Sequence, residues 1–258
     1  MIEAKNVAYR LGQTEVLSGL SFTLAPGKLY GIIGPNGVGK SSLLRLISGV
    51  EKPAAGQLLL EGKQAAAYPR KELARWLSVL QQGGLPPVGF TVRETVAMGR
   101  FPFQNWLGDE EADTEALIDS VLEAMGLSAL QHRTMDNLSG GERQRVALAQ
   151  VMAQQPRLVL LDEPTTYLDI GFQVLLMDTV SGWQRKRGLT AIAVLHDLNL
   201  ASLYCDEILV LHEGQLAAFG PPADILDAAL VRRVYGTEAA AVAHPANGRP
   251  QFLLMNGK

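Results

Sequence analysis

One glycine-rich segment constrains the fold of this chain more than any other stretch. Residues 34–41 read GPNGVGKS and fit the pattern G-x-x-x-x-G-K-[ST]. The apolar run Leu29–Ile33 before this segment is typical of a buried strand, and the apolar spacing in residues 42–47 after it is typical of a helix. A strand, a tight loop and a helix in this order predict a phosphate-binding loop, and a glycine-rich turn without a ligand is the alternative.

The chemistry of phosphate binding explains the residue types in this loop. Several backbone N–H groups must point at one anion, and Gly34, Gly37 and Gly39 accommodate the positive φ angles that this requires. Lys40 can reach the β- and γ-phosphates, and the Ser41 hydroxyl can ligate Mg²⁺. The other binding residues predicted in the loop and the first helical turn are Pro35, Asn36, Val38 and Ser42. The segment therefore predicts a nucleoside triphosphate site.

Length and composition narrow the class of protein. A chain of 258 residues can form one large α/β domain or a core with a smaller subdomain. Its formal net charge is −3 and its longest basic run is the triplet at 185–187, which argues against an extended nucleic-acid face. The lone Cys205 excludes an internal disulfide. With no signal peptide and no apolar run near ~18 residues, we expect a soluble, cytosolic protein that reaches membranes only through a partner.

The order of the predicted elements indicates an α/β fold with a mostly parallel sheet. Strand and helix patterns alternate through residues 1–84 and 151–236, which we assign to the core. Partial alternation in residues 2–24 predicts an N-terminal antiparallel β region. Residues 85–150 carry helical patterns and are predicted to be a helical insertion subdomain, and residues 237–258 a short extension.

Two adjacent carboxylates follow an apolar run at residues 158–161. Such a run is typical of a strand buried on both faces, and carboxylates at its end are costly unless they are used. The two-residue period of a strand predicts that they point different ways. Asp162 is then a candidate to hold Mg²⁺ through its water shell, and Glu163 to take a proton from the water that attacks the γ-phosphate. The alternative is a Glu-Pro turn with a helix-capping Asp.

The stretch LSGGERQR at residues 138–145 predicts a second phosphate site. Ser139 and Glu142 have the spacing of a capping box before a helix, but two glycines in a first turn cost helix stability. Gly140 and Gly141 make sense if bare backbone amides must approach an anion. Because the chain already has a complete phosphate loop, we interpret this half-site as serving the nucleotide of another subunit.

Taken together, these motifs resemble those of ABC-type ATPases, with LSGGERQR as the signature motif, and the resemblance implies a P-loop NTPase core that binds ATP and Mg²⁺. It places Tyr9 where an aromatic ring stacks on adenine, with a core strand residue as the alternative. It places Gln82, with Gln81 as its alternative, where a glutamine contacts Mg²⁺ and the attacking water. Asp169 would lie in the loop that crosses to the partner subunit, and His196 would contact the γ-phosphate.

Narrower similarities concern the type of transporter. Residues 98–103 and 195–201 resemble the ATPases of importers for iron–siderophores, haem and cobalamin, and the first segment is most similar to siderophore members. This implies a homodimer on the cytoplasmic face of the inner membrane, which drives a permease supplied by a secreted binding protein. Phe101, Phe103 and Trp106 either form an apolar docking surface for the permease or pack inside the insertion. Residues 242–255 resemble a terminal β-hairpin.

Two other functions compete with this interpretation. A soluble ABC ATPase acting on ribosomes or DNA would resemble a tandem duplication or carry a long coiled-coil insertion, whereas this chain has a single phosphate loop and no heptad insertion. An exporter ATPase is disfavoured by the importer-like segments. The transported ligand is a separate question, because this subunit does not meet it; haem, cobalamin and other metal or oxyanion ligands are the alternatives to an iron–siderophore.

Overall fold

The computed structural model describes residues 1–81, 85, 89–104, 114–166 and 168–255. The strands in this part of the chain are β1 (Ile2–Leu11), β2 (Thr14–Leu24), β3 (Leu29–Ile33), β4 (Ala55–Leu60), β5 (Lys63–Gln64), β6 (Leu77–Leu80), β7 (Leu158–Asp162), β8 (Thr190–Val194), β9 (Glu207–His212), β10 (Gln215–Gly220), β11 (Ala239–Ala243) and β12 (Pro250–Leu254). The helices are α1 (Lys40–Ile47), α2 (Arg70–Trp76), α3 (Val92–Ala97), α4 (Thr114–Ala124), α5 (Gly140–Gln154), α6 (Ile170–Arg187), α7 (Leu198–Tyr204), α8 (Pro222–Ile225) and α9 (Ala228–Tyr235). None of these described helices is long and apolar enough to cross a membrane.

The chain divides into two compact units, one comprising Met1–Tyr68 with Val180–Lys258 and the other Pro69–Thr179. In the first unit, β2, β1, β4 and β5 form an antiparallel sheet in this order, as expected for the N-terminal region. The turn between β1 and β2 contains only two residues, because Leu11 pairs with Thr14. Gly12 makes this two-residue connection possible with a φ of 62°.

The first unit also contains the parallel strands that carry the phosphate loop. β3 pairs in parallel with β8 on one side and β9 on the other, and β10 adds to β9 in antiparallel orientation. Every residue of β3 and β8 is buried, which explains why both strands are continuous apolar runs. The backbone N–H of Leu195 donates to Ile32 O at 3.1 Å, so the chain leaves β8 beside the end of β3.

The second unit is mostly helical. β6 and β7 pair in parallel, and α5 packs against α3 and α4. The Gln154 side chain, at the end of α5, donates to Leu77 O at 2.9 Å and accepts from Ser78 Oγ at 2.8 Å, which ties this helix to β6. The helical patterns predicted for the insertion include α4, which begins at Thr114, and residues 105–113 before it lie outside the described residues. The boundaries 85–150 proposed for the insertion stay a prediction.

Three elements near the C-terminus had no counterpart in the sequence prediction, namely β10, α8 and α9. α9 buries Leu230, Val231 and Val234, but two helical turns carry too short a pattern to stand out from a loop. Beyond it, β11 and β12 form an antiparallel hairpin in register from Ala239↔Leu254 to Ala243↔Pro250.

Candidate nucleotide-binding site

The three glycines of the phosphate loop have the predicted left-handed conformations. Their φ angles are 149° at Gly34, 78° at Gly37 and 104° at Gly39. A Cβ atom on Gly34 would lie 2.2 Å from Leu211 O, and one on Gly39 would lie 2.5 Å from Leu17 Cδ2. A Cβ on Gly37 would meet nothing within 4 Å. Packing therefore excludes side chains at the first and third glycines, while the middle one faces open space.

The side chain of Lys40 reaches from the start of α1 back into this loop. This side chain is buried, and Nζ donates to Gly34 O at 2.8 Å and to Pro35 O at 2.9 Å. These bonds hold the ammonium where the pattern predicts the phosphates. Gly39, the N-cap of α1, has no side chain, so this helix begins at Lys40 without a side-chain cap, as is typical of an anion-binding helix start. Around them, Ser42 is half-buried, Asn36 is exposed and Val38 is buried.

His196 lies at the same edge of the sheet as the phosphate loop. Because β3 and β8 are neighbouring parallel strands, their carboxyl ends meet at one edge of the sheet, where α/β proteins bind ligands. His196 is exposed and lies two residues beyond β8. The next residue, Asp197, caps α7 by accepting from Asn199 N at 2.7 Å and Leu200 N at 3.1 Å. The predicted γ-phosphate contact is thus placed directly before a capped helix.

Two tyrosines in this unit bear on the nucleotide site. Tyr9 is 5% exposed and lies in β1, which favours the core-residue alternative, so its adenine-stacking role stays a prediction. Tyr235 at the end of α9 was missed by the sequence analysis. Burial raises the pKa of Tyr235 to about 12, and a hydrogen bond with the backbone of Gly34 opposes this shift. The phenol therefore lies beside the phosphate loop. No local pattern could have revealed that contact.

In the second unit, β7 ends at Asp162, which is half-buried, and Glu163 follows it with a φ of 50°. A left-handed glutamate is uncommon and costs about 1–3 kcal/mol. Thr166 donates its N–H to Glu163 O at 3.2 Å and its Oγ1 to Glu163 Oε2 at 3.5 Å. The argument from strand alternation therefore does not apply to Glu163, since a turn rather than the strand sets its direction.

The signature stretch begins α5 with the capping box that its spacing predicts. Ser139 Oγ accepts from Glu142 N at 3.3 Å, and the Glu142 carboxylate accepts from both Ser139 Oγ and Ser139 N at 2.7 Å. These bonds from Ser139, led by its hydroxyl, lower the pKa of Glu142. A Cβ on Gly140 would meet nothing within 4 Å, and one on Gly141 would make ordinary contact with Phe172. Packing thus does not explain why glycine occurs at either position, which supports the prediction that these amides approach an anion.

Asp169 caps the next helix. Its Oδ1 accepts from the N–H of Phe172 at 2.9 Å at the start of α6. Gln173 holds the loop before it, because Nε2 donates to Leu168 O at 3.0 Å and Thr165 O at 3.3 Å. The sequence analysis gave Gln173 no role, since a glutamine inside a helix carries no motif.

The remaining candidates divide between described and undescribed parts of the chain. Gln82 and Trp106 lie outside the described residues. Phe101 is 58% exposed, whereas the guanidinium of Arg100 lies 4.0 Å from the Phe103 ring centroid and that of Arg75 5.6 Å from it. Of the two described members of this aromatic cluster, Phe101 is therefore the exposed one, because Phe103 packs within its own unit.

Comparison with known proteins places these features in one family. The sequence profile of ABC transporter matches residues 17–166, more than half of the chain. The chain belongs to the ABC transporter family. It is an ATP-binding, ATP-hydrolysing subunit of this family, and its P-loop NTPase fold is the one that the motifs predicted.

Individual relatives cover most of the chain. The ferric enterobactin transport ATP-binding protein FepC of Escherichia coli is 40% identical over 93% of this chain and 88% of its own length. The hemin import ATP-binding protein HmuV of Bordetella pertussis is 38% identical over 95% of both. An uncharacterized ABC transporter ATP-binding protein, YvrA of Bacillus subtilis, is 38% identical over the whole chain, which spans 58% of YvrA.

Among solved structures, the ADP conformation of MJ1267, an ATP-binding cassette of an ABC transporter, superposes with a TM-score of 0.80. The two sequences are 26% identical, and the alignment covers 92% of this chain and 97% of the other. The similarity thus extends from the motifs to the whole architecture.

Proposed function

We propose that this chain hydrolyses ATP to drive the import of iron–siderophore complexes through a membrane permease. The observation that carries the proposal is the phosphate loop, in which Lys40 Nζ is held by two loop carbonyls beside the uncapped start of α1. Residues 98–103 and 195–201 and the similarity to ferric enterobactin and hemin proteins support an importer of chelated iron. Cobalamin and other metal or oxyanion ligands remain alternatives.

The donor set fits Mg²⁺. Ser41 offers a hydroxyl and Asp162 a carboxylate, and hard oxygen donors of this kind suit Mg²⁺. In Mg²⁺ sites of this kind, substrate phosphates and water supply most of the ligands. Gln82 is proposed as a further ligand from sequence alone. When bound, Mg²⁺ neutralises charge on the phosphates.

Glu163 is proposed as the general base. Its turn, rather than the strand before it, aims the carboxylate, and Thr166 limits its freedom by donating to Oε2. A carboxylate in this role takes the proton of the attacking water. His196 and Gln82 are proposed to complete the catalytic group, with His196 acting on the γ-phosphate and Gln82 orienting the water. Tyr9 is proposed to contact the adenine.

The signature helix start is proposed to serve the nucleotide of a second copy of this chain. Gly140 and Gly141 begin α5 without side chains over their amides, Ser139 precedes them as the N-cap, and Asp169 lies in the loop before α6. Each homodimer would hold two ATP molecules, each between the loop of one protomer and the helix start of its partner. Closure on ATP and reopening after hydrolysis would then move the permease.

Phe101 is proposed to contact the permease at the cytoplasmic face of the inner membrane. Of the two described members of the predicted aromatic cluster, it is the exposed one, whereas Phe103 is stacked beside Arg100. A secreted binding protein would deliver the ligand to the other side of the permease. Nothing in this chain has to contact the ligand itself.

Complementation of a deletion strain tests this function. The wild-type gene should restore growth on a ferric siderophore as sole iron source, and Phe101→Asp should not, because an unpaired charge in an apolar interface costs several kcal/mol. ATPase activity of the purified Phe101→Asp chain should match the wild type.

Glu163→Gln should still bind ATP and hydrolyse it at least ~10²-fold more slowly, the usual effect of losing a general base.

Val50→Asp is the matched control, because Val50 is a comparably exposed apolar residue, at 61%, in the other unit. It should support growth like the wild type. Normal siderophore-dependent growth of the deletion strain, with haem or cobalamin uptake lost instead, would contradict the proposed ligand. Wild-type turnover by Glu163→Gln would contradict the proposed general base.

A further inference from the structure

The C-terminal hairpin is bonded to α7, the helix that begins just after His196. Near the start of this helix, the side chain of Asn199 pairs with the backbone of Phe252 in β12. Phe252 N donates to Asn199 Oδ1 at 2.7 Å, and Asn199 Nδ2 donates to Phe252 O at 3.3 Å. This amide occupies both backbone groups of a strand residue, as a neighbouring strand would.

At the other end of α7, one arginine from the hairpin binds the last turn. Arg249 Nη1 donates to Ser202 O at 2.8 Å, Leu203 O at 3.0 Å and Cys205 O at 2.8 Å. The last carbonyls of a helix lack intrahelical partners, and a cation there also complements the negative end of the helix dipole. The hairpin thus supplies the C-terminal cap that α7 does not provide for itself.

The length of α7 makes these contacts important for His196. A helix of seven residues is far too short to be stable by its own hydrogen bonds, so external contacts decide where it lies. Its N-cap is Asp197, the residue next to His196. Any shift of α7 is therefore transmitted to His196 through a single peptide bond.

We infer that Asn199 and Arg249 are positioning residues that set His196 against the γ-phosphate through α7. The inference rests on the proposed role of His196. Small displacements of a reacting group cost up to about 10²-fold in rate. Arg249→Ala should therefore lower kcat by about 10-fold or more while KM for ATP stays within about twofold, since the phosphate loop is untouched.

A double-mutant cycle on the purified full chain tests this inference. Steady-state ATPase kinetics would be measured for Arg249→Ala, His196→Ala and the double variant. If Arg249 acts through His196, Arg249→Ala should have little further effect on kcat once His196 is absent. Additive losses, or an unchanged kcat in Arg249→Ala, would overturn the inference. An unchanged kcat in His196→Ala would instead show that the proposed role of His196 is wrong.

Two further measurements separate positioning from folding. Arg232→Ala is the matched control, because Arg232 is a 71% exposed arginine of the same unit that pairs with Glu238 and should leave kcat unchanged. Hydrogen exchange should rise in residues 198–204 of Arg249→Ala and not in the control. If Arg249→Ala does not fold, Asn199→Ala replaces it in the cycle.

The conservative variant Arg249→Lys keeps the cation and its hydrogen-bond donors. A loss of kcat as large as that of Arg249→Ala would therefore contradict the inference.

Discussion

At the scale of single residues, the phosphate loop shows that glycines of one motif have different physical reasons. All three have positive φ angles, but only Gly34 and Gly39 are also excluded from carrying a side chain by their neighbours. Gly37 is needed for its backbone conformation alone, since space is open around it. The motif thus combines one position required for backbone conformation alone with two positions at which packing also excludes a side chain.

This difference predicts unequal losses of stability. Gly37→Ala should lower the free energy of unfolding by about 1–2 kcal/mol, the cost of a left-handed alanine. Gly34→Ala should add about 1–3 kcal/mol for overpacking, because its Cβ would lie 2.2 Å from Leu211 O. Chemical denaturation of both variants without nucleotide measures the difference. Equal losses would mean that the loop shifts away from Leu211 at little cost.

At the scale of elements, three helices begin at side-chain caps that are, or directly adjoin, predicted site residues. Ser139 caps α5, Asp169 caps α6 and Asp197 caps α7. α1 has no side-chain cap, because its N-cap is Gly39. At the start of α5, the predicted anion site therefore shares its first turn with a capping box.

The α5 cap should make stability depend on pH. The pKa of Glu142 is lowered from its ordinary value of 4.5, so its contribution is complete above that pH and disappears as pH falls through the folded value. At pH 7, Glu142→Gln should lower the free energy of unfolding by about 0.3–1 kcal/mol, the usual effect of a charge at a helix start. Denaturation in an acid series should show the two proteins converging. In a Ser139→Ala background the pH-7 difference should shrink, and an undiminished difference would exclude the capping box as its cause.

At the scale of the whole molecule, a single chain carries both halves of the proposed site, which would be completed by a second copy of the chain. The phosphate loop belongs to the first unit and the signature helix to the second. Under two-fold symmetry, each residue of one protomer that meets the partner's nucleotide has an identical counterpart across the interface. Mutations in the two halves should therefore complement each other.

A mixed dimer tests this arrangement. Lys40→Ala removes the cation of the loop, and Ser139→Arg blocks the helix start, so each homodimer should be inactive. A mixed dimer has one interface with both defects and one with neither, so an equal mixture should recover up to about a quarter of the wild-type ATPase rate. Each variant mixed with itself is the control. Activity no higher than the sum of the separate variants would mean that each chain forms a self-contained site.

The sequence by itself determined the features that local spacing encodes. The phosphate loop between β3 and α1, the apolar run before Asp162 and the cap at Ser139 each lie within about ten residues of chain, where the strand and helix periods are read directly.

Only the tertiary structure decided which distant residues support those motifs. Tyr235 reaches the backbone of Gly34, and Arg249 caps α7 across more than 40 residues of sequence. These contacts depend on how the chain returns to itself, which no local periodicity records. The same applies to the turn that aims Glu163, because its conformation is stabilised by surrounding contacts rather than by glutamate's own preference.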